Sequence, residues 1–256
     1  MINRKFLASL ILWLFMIPSF AQAESDSEQA AHSLLSAFMS YTDLRIVSVG
    51  RSLEILASTT EAESGDWEKM KGLLGVYQKA DAGLVVWFVR PDGSYYTVDK
   101  GLMAVKLSDR SYFAELMTGN KITGSLVVSK STGQRSAVIA IPIKEGGKII
   151  GAIGASLFLD KLAEQINSVL SLRADASFFA LSPDGLATLH RKTERHFLDP
   201  RELGSETLKR AVNEMLSGTN GTVSYQFDNT TKKAIYLTSP LTQWKFAIAY
   251  SAASQK

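Results

Sequence analysis

Val86–Tyr96 reads VWFVRPDGSYY: an apolar run, a Pro-Asp-Gly turn and a return to apolar residues. Proline pre-sets the backbone angle at the first corner of a turn, and glycine accepts the left-handed corner. The stretch therefore predicts two antiparallel strands joined by a tight hairpin. The same pattern recurs at Ser177–Leu189, SFFALSPDGLATL. One chain writing one hairpin twice predicts that its fold is a duplication.

Working outward, each hairpin is followed by the same elements in the same order. After the first come a helix over Leu107–Met117, capped by Ser108 or Asp109 and closed by Gly119, then strands over Gly124–Ser129, Ala137–Ile143 and Ile149–Phe158. Asp160–Leu170 is amphipathic and predicts a connecting helix. After the second hairpin come a helix over Ser205–Leu216 and strands over Thr222–Phe227, Ala234–Ser239 and Trp244–Tyr250. Both copies carry a proline near the end of the middle strand, in Ile141-Pro142-Ile143 and Ser239-Pro240-Leu241. The repeat is domain-sized, so it predicts two similar antiparallel-sheet units in an α+β fold, not a solenoid.

Upstream, Arg4 and Lys5 precede an uncharged apolar run, Phe6–Phe20, and then Ala21-Gln22-Ala23. The run is shorter than the ~20 residues a bilayer crossing needs, and the small-x-small triplet is a cleavage pattern. Residues 1–23 are expected to be a secretory leader, with an uncleaved anchor as the rival. Residues 24–80 then form a helical spine: from Glu24 to Glu63 there is no proline, and Leu35, Phe38, Thr42, Ile46, Val49, Leu53 and Leu56 recur at helical spacing. A helix that long is either a spine for two modules or a dimer seam. A second helix is expected over Asp66–Lys79. Residues 81–170 and 171–256 are the two units. Loss of Arg4 and Lys5 with the leader would take the net charge from +3 to about +1, a near-neutral surface that argues against nucleic acid as the main partner. The absence of cysteine leaves stability to an ordinary buried core. Export without disulfides fits a bacterial periplasm.

Two hairpin–helix–meander units on one N-terminal helix follow the PAS-like plan and resemble the double Cache sensor domains of bacterial chemoreceptors and sensor kinases. The residues that carry the resemblance are Trp87–Gly93, Leu107–Phe113, Ser131-Thr132-Gly133, Ile141-Pro142-Ile143 and Gly151–Gly154. The resemblance implies a small ligand, such as an amino acid, amine or carboxylate, in the first unit and a structural role for the second. Members of that family normally sit between two transmembrane helices and pass a signal to a cytoplasmic output domain. This chain shows neither, so the resemblance implies a free-standing module that works through a membrane sensor kinase, chemoreceptor or cyclase, or pairs with itself through the N-terminal helix.

In that family the arginine of an Arg-x-aromatic-aromatic motif grips the ligand carboxylate; here the motif is Arg110-Ser111-Tyr112-Phe113. A planar guanidinium suits that task because it donates two parallel hydrogen bonds, and backbone donors at the following helix N-terminus would add to it. The rival reading pairs Arg110 with Asp92 or Asp99 and places Tyr112 and Phe113 in the core. Trp87 with one of Tyr95 and Tyr96 supplies an aromatic wall, since neighbours on a strand face opposite sides; Tyr95 is the candidate. The positions where the amino-acid-binding subgroup places a tyrosine and an aspartate are Val105 and Ser156, so a carboxylate without an amine is favoured. The ligand-binding candidates are thus Arg110, Tyr112, Trp87, Tyr95 and Ser156. His190 and His196, separated by Arg-Lys-Thr-Glu-Arg, read as part of a solvated loop with poor metal-ligand spacing. No cofactor or catalytic motif is found. The competing functions are a ligand-free interaction protein and, more remotely, a hydrolase.

Overall fold

The structure, a computed structural model, describes residues 4–251, with side chains from Glu28 onward. The leader expected over residues 1–23 lies outside the residues whose side chains are described. Helix α1 runs Arg4–Ala57, and α2 (Thr60–Glu63) and α3 (Trp67–Ala80) follow. The first sheet is built from β1 (Leu84–Val89), β2 (Tyr95–Thr97), β3 (Gly101–Leu102), β4 (Ile122–Val128), β5 (Arg135–Glu145) and β6 (Lys148–Phe158), with α4 (Phe113–Met117) between β3 and β4. Helix α5 (Leu159–Leu170) leads to the second sheet: β7 (Ser177–Leu181), β8 (Ala187–His190), β9 (Asn220–Phe227), β10 (Thr230–Thr238) and β11 (Lys245–Ser251), with α6 (Glu206–Ser217) before β9. No helix among the described residues is long and apolar enough to cross a membrane.

Strand order is β3-β2-β1-β6-β5-β4 in one sheet and β8-β7-β11-β10-β9 in the other. Setting aside the two-residue β3, the orders are the same, and every pairing is antiparallel. The two turn prolines occupy equivalent corners. Gly93 N–H donates to the Arg90 carbonyl and Gly185 N–H to the Ser182 carbonyl, each at 2.9 Å, with positive φ at both glycines. Glycine is required at the first corner for space as well, because a Cβ on Gly93 would meet Ser108 at 2.7 Å.

The spine is made by burial. Leu35, Phe38, Thr42, Ile46, Val49 and Leu53 are all at most 1 % exposed, on the stripe their spacing marks out. The five apolar ones share one core with Val86 and Phe88 of the first sheet and Phe178 and Phe246 of the second. Helix α1 is thus the common floor of both units. Asp43 adds a polar tie: both its carboxylate oxygens accept from Ser239 Oγ, at 2.9 and 2.8 Å, and burial pushes its pKa up.

Two local expectations are corrected. The helix does not run through to Glu63: it stops at Ala57, because Thr59 takes an extended conformation and its hydroxyl accepts from Ala62 N–H at 3.3 Å, starting α2 afresh. Nor does a helix begin at Ser108 or Asp109. Residues 107–113 form two successive four-residue turns, pinned to the hairpin by the bond from Leu107 N–H to the Gly93 carbonyl at 2.9 Å, and the helix is Phe113–Met117. Arg110 therefore stands in a turn and not at a helix start.

Candidate functional site

Strand alternation divides the first sheet into two faces. Val86 and Phe88 face α1, while Trp87, Val89 and Tyr95 face the segment around α4, with Leu107, Tyr112 and Phe113. Tyr96 turns the other way and stacks on Trp67 at 5.1 Å. The five candidates Arg110, Tyr112, Trp87, Tyr95 and Ser156 all line one recess on the α4 side, together with Leu107, Val127, Ser129, Lys130 and Ser131. They arrive there from β1, β2, β6 and the turn before α4.

The recess is nearly full. Trp87 lies across it and donates from Nε1 to Ser156 Oγ at 3.2 Å. The space left is about 10 Å³, room for roughly one water. Trp87 fits only because its β6 neighbour is Gly154: a Cβ there would lie 2.2 Å from the indole. Gly154→Ala is therefore expected to lower stability by ~1–3 kcal/mol through overpacking. Adding Trp87→Phe should recover most of that loss in urea unfolding; equal destabilisation with and without the second change would show that the clash lies elsewhere.

Arg110 donates to the Val128 carbonyl at 2.7 Å and forms no ion pair among the described residues. The rival pairings do not form: Asp92 takes Lys106 at 3.2 Å, and Asp99 accepts from the Gln78 amide at 3.0 Å. Tyr95 is 2 % exposed, and its hydroxyl has no hydrogen-bond partner among the described residues. Burial, opposed by the nearby Arg110 charge, raises the pKa of Tyr95, and it pushes that of Tyr112 up to about 12. Both are neutral donors at physiological pH. No aspartate or glutamate lines the recess.

A much larger cavity, of about 430 Å³, lies in the second unit, where the sequence predicts only structure. His190, Arg195, Tyr225 and Lys232 line it, over Phe179 and Leu181. The solvated-loop expectation for 190–196 is wrong. His196 is fully buried, with Nδ1 2.7 Å from Asp160 Oδ1 and Nε2 accepting the His190 backbone N–H at 3.0 Å. That pairing folds the loop back over the sheet. Among the described residues, no three of His, Asp and Glu gather as a metal site.

The model of the Cache domain family matches residues 20–254, and the chain belongs to that family. No curated protein matches the sequence. The fold is similar to the extracellular domain of the putative histidine kinase rpHK1S-Z16 (TM-score 0.73, 18 % identity, covering 92 % of this chain and 98 % of that one). It is also similar to the sensory domain of the Campylobacter jejuni chemoreceptor Tlp3 with isoleucine bound (TM-score 0.67, 16 % identity, 91 % and 95 % covered). A third similar structure is the ligand-binding domain of the Pseudomonas fluorescens chemoreceptor CtaA with L-serine (TM-score 0.67, 14 % identity, 90 % and 98 % covered). The double-sheet α+β architecture on a long N-terminal helix is that of these sensory domains.

Proposed function

We propose that this chain is an exported ligand-sensing module that binds a small organic carboxylate in the first unit and acts through a membrane-bound receptor, kinase or cyclase. The observation that carries the reading is the chemistry of the first recess. Among the described residues Arg110 donates to the Val128 carbonyl and to no carboxylate, the buried Tyr95 hydroxyl has no partner, and no acid lines the wall. A carboxylate satisfies both donors, whereas the ammonium of an α-amino acid would meet cations and no anion, a costly arrangement in a buried site. The chemoreceptor domains similar in fold hold isoleucine and L-serine; the absence of an acid is what separates this recess from an amino-acid site. Entry requires the Trp87 ring to leave its bond to Ser156. A partner helix would find Leu44 and Ile55, 66 % and 69 % exposed, about three turns apart on one face of α1.

Calorimetric titration with acetate, propionate, lactate and pyruvate, beside alanine and serine, tests this. At least one acid is expected to bind and the amino acids not to. Arg110→Ala should weaken the acid ~10-fold or more, since a charge-assisted hydrogen bond is lost. A second reading rests on the nearly filled recess: the first unit is its own ligand, and the chain acts purely by contact. Absence of binding to both wild type and Trp87→Ala, with receptor capture unaffected by added acids, would select it.

A further inference from the structure

The two units differ most where they ought to match. Four residues before each turn proline stands Trp87 in the first unit and Phe179 in the second; four residues after stands Tyr95 or Ala187. Cross-strand, Trp87 faces Gly154 and Phe179 faces Ala247. Phe179 and Ala187 lie in the core on the α6 side of the second sheet, as Trp87 and Tyr95 lie on the α4 side of the first. Trading an indole for a phenyl ring and a phenol for a methyl group removes the side chains that fill the first recess. Those two exchanges open space on the side where the 430 Å³ cavity lies, a volume within the ~300–1,000 Å³ range of small-molecule sites.

The polar groups around it are donors. Lys192 N–H donates to His190 Nδ1 at 2.8 Å, so the neutral ring carries its proton on Nε2. Burial, and then the nearby Arg195, lower the pKa of His190 to about 3, which keeps the ring neutral. Arg195 Nη1 lies 3.4 Å from that same Nε2. Two N–H donors cannot bond each other, so they converge on a point that a single acceptor would satisfy. Arg195 is held over the Phe227 ring at 4.8 Å and pairs with no carboxylate among the described residues. Lys232 donates to the Asp175 carbonyl and Ser251 Oγ, at 3.2 and 2.9 Å. Of the two acids on the wall, Asp175 is held by both nitrogens of the Arg173 fork, and Asp228 is exposed.

We propose that this second-unit cavity is a binding site for a small carboxylate with an apolar or aromatic body, the carboxylate held by Arg195 and His190 Nε2–H and the body packed on Phe179 and Leu181. It is a site separate from the Arg110 recess. An amine would be repelled by Arg195 and Lys232, and a neutral carbonyl would accept from the converging donors without offsetting the Arg195 charge, so a charge-assisted pair favours the acid.

The test is calorimetric titration of the full chain with benzoate, phenylacetate and 4-methylpentanoate, beside phenylacetamide and phenethylamine as neutral and cationic shapes. At least one of the acids is expected to bind, with phenylacetamide and phenethylamine ~10-fold or more weaker than phenylacetate. Arg195→Gln should cost a similar factor, and Ala187→Tyr, which restores the ring of the first unit, should abolish binding. If Arg195→Gln does not fold, the amide comparison and Ala187→Tyr decide. No binding by any of the three acids at millimolar concentration overturns the proposal. So does amide binding equal to acid binding, or binding that Arg110→Ala removes and Ala187→Tyr leaves intact. The last outcome would place the ligand in the first recess and leave the proposed function standing.

Discussion

Phe38→Ala is expected to cost ~3–5 kcal/mol, the range for emptying a buried aromatic site. Phe38 is fully buried, 5.0 Å from the Phe178 ring and 4.8 Å from the Phe246 ring, in tilted and edge-on contacts that add to simple burial. It stands on α1, while its partners stand on β7 and β11 of the second sheet. The variant therefore removes the contact that seats the second unit on the spine. Urea unfolding should show the loss, and amide exchange should quicken in β7 and β11 before it does in β1 and β6. Leu44→Ala, on the exposed side of the same helix, is the control and should stay within ~0.5 kcal/mol. Equal losses for the two variants would mean that α1 is not the shared floor of both sheets.

That floor was legible because helical spacing is set by the backbone alone: Leu35, Phe38, Ile46 and Leu53 point one way whatever they meet. The hairpins were legible for a similar reason, since Pro91-Asp92-Gly93 and Pro183-Asp184-Gly185 encode their own corners. The five first-unit candidates came together because alternation sorts Trp87 and Tyr95 onto one face and the family resemblance points to Arg110. What one sequence hid was volume. Whether the recess is open depends on how the Trp87 ring lies over Gly154, a relation between two strands far apart in the chain. The second-unit site was hidden for the same reason. His190, Arg195, Tyr225 and Lys232 come from four segments, and charges at 191–195 look solvated until His196 is seen to fold the loop inward. The available signal was the exchange of Tyr95 for Ala187 at matched positions of the repeat. It shows only when the copies are compared for size as well as for pattern.

Acidification from pH 6.5 to 4.5 is expected to cost the folded chain up to about 2 kcal/mol through His190, with His196 adding in the same direction. His190 and His196 both have pKa values held below the ordinary 6.5, by burial first in each case. In the unfolded chain they protonate near 6.5. Below that pH the unfolded state binds more protons than the folded one, so stability falls as pH falls, by up to ~1.4 kcal/mol per unit for each histidine. His190 borders the cavity and contributes less than that ceiling. His196 has nowhere to put a second proton: Nδ1 serves Asp160, and Nε2 accepts the His190 N–H, so protonation sets two donors against each other. Asp92, Asp109, Asp175 and Asp199 are held below the usual carboxylate range by their partners, so the stability they contribute is lost only at lower pH. Urea unfolding at half-unit pH steps should trace the slope, and the double variant His190→Gln/His196→Gln should flatten it at the cost of lower stability at neutral pH. A wild-type profile level from 6.5 to 4.5 would show that the loop carrying Arg195 is open to water in solution. The converging donors of the second unit would then not be preorganised for any ligand.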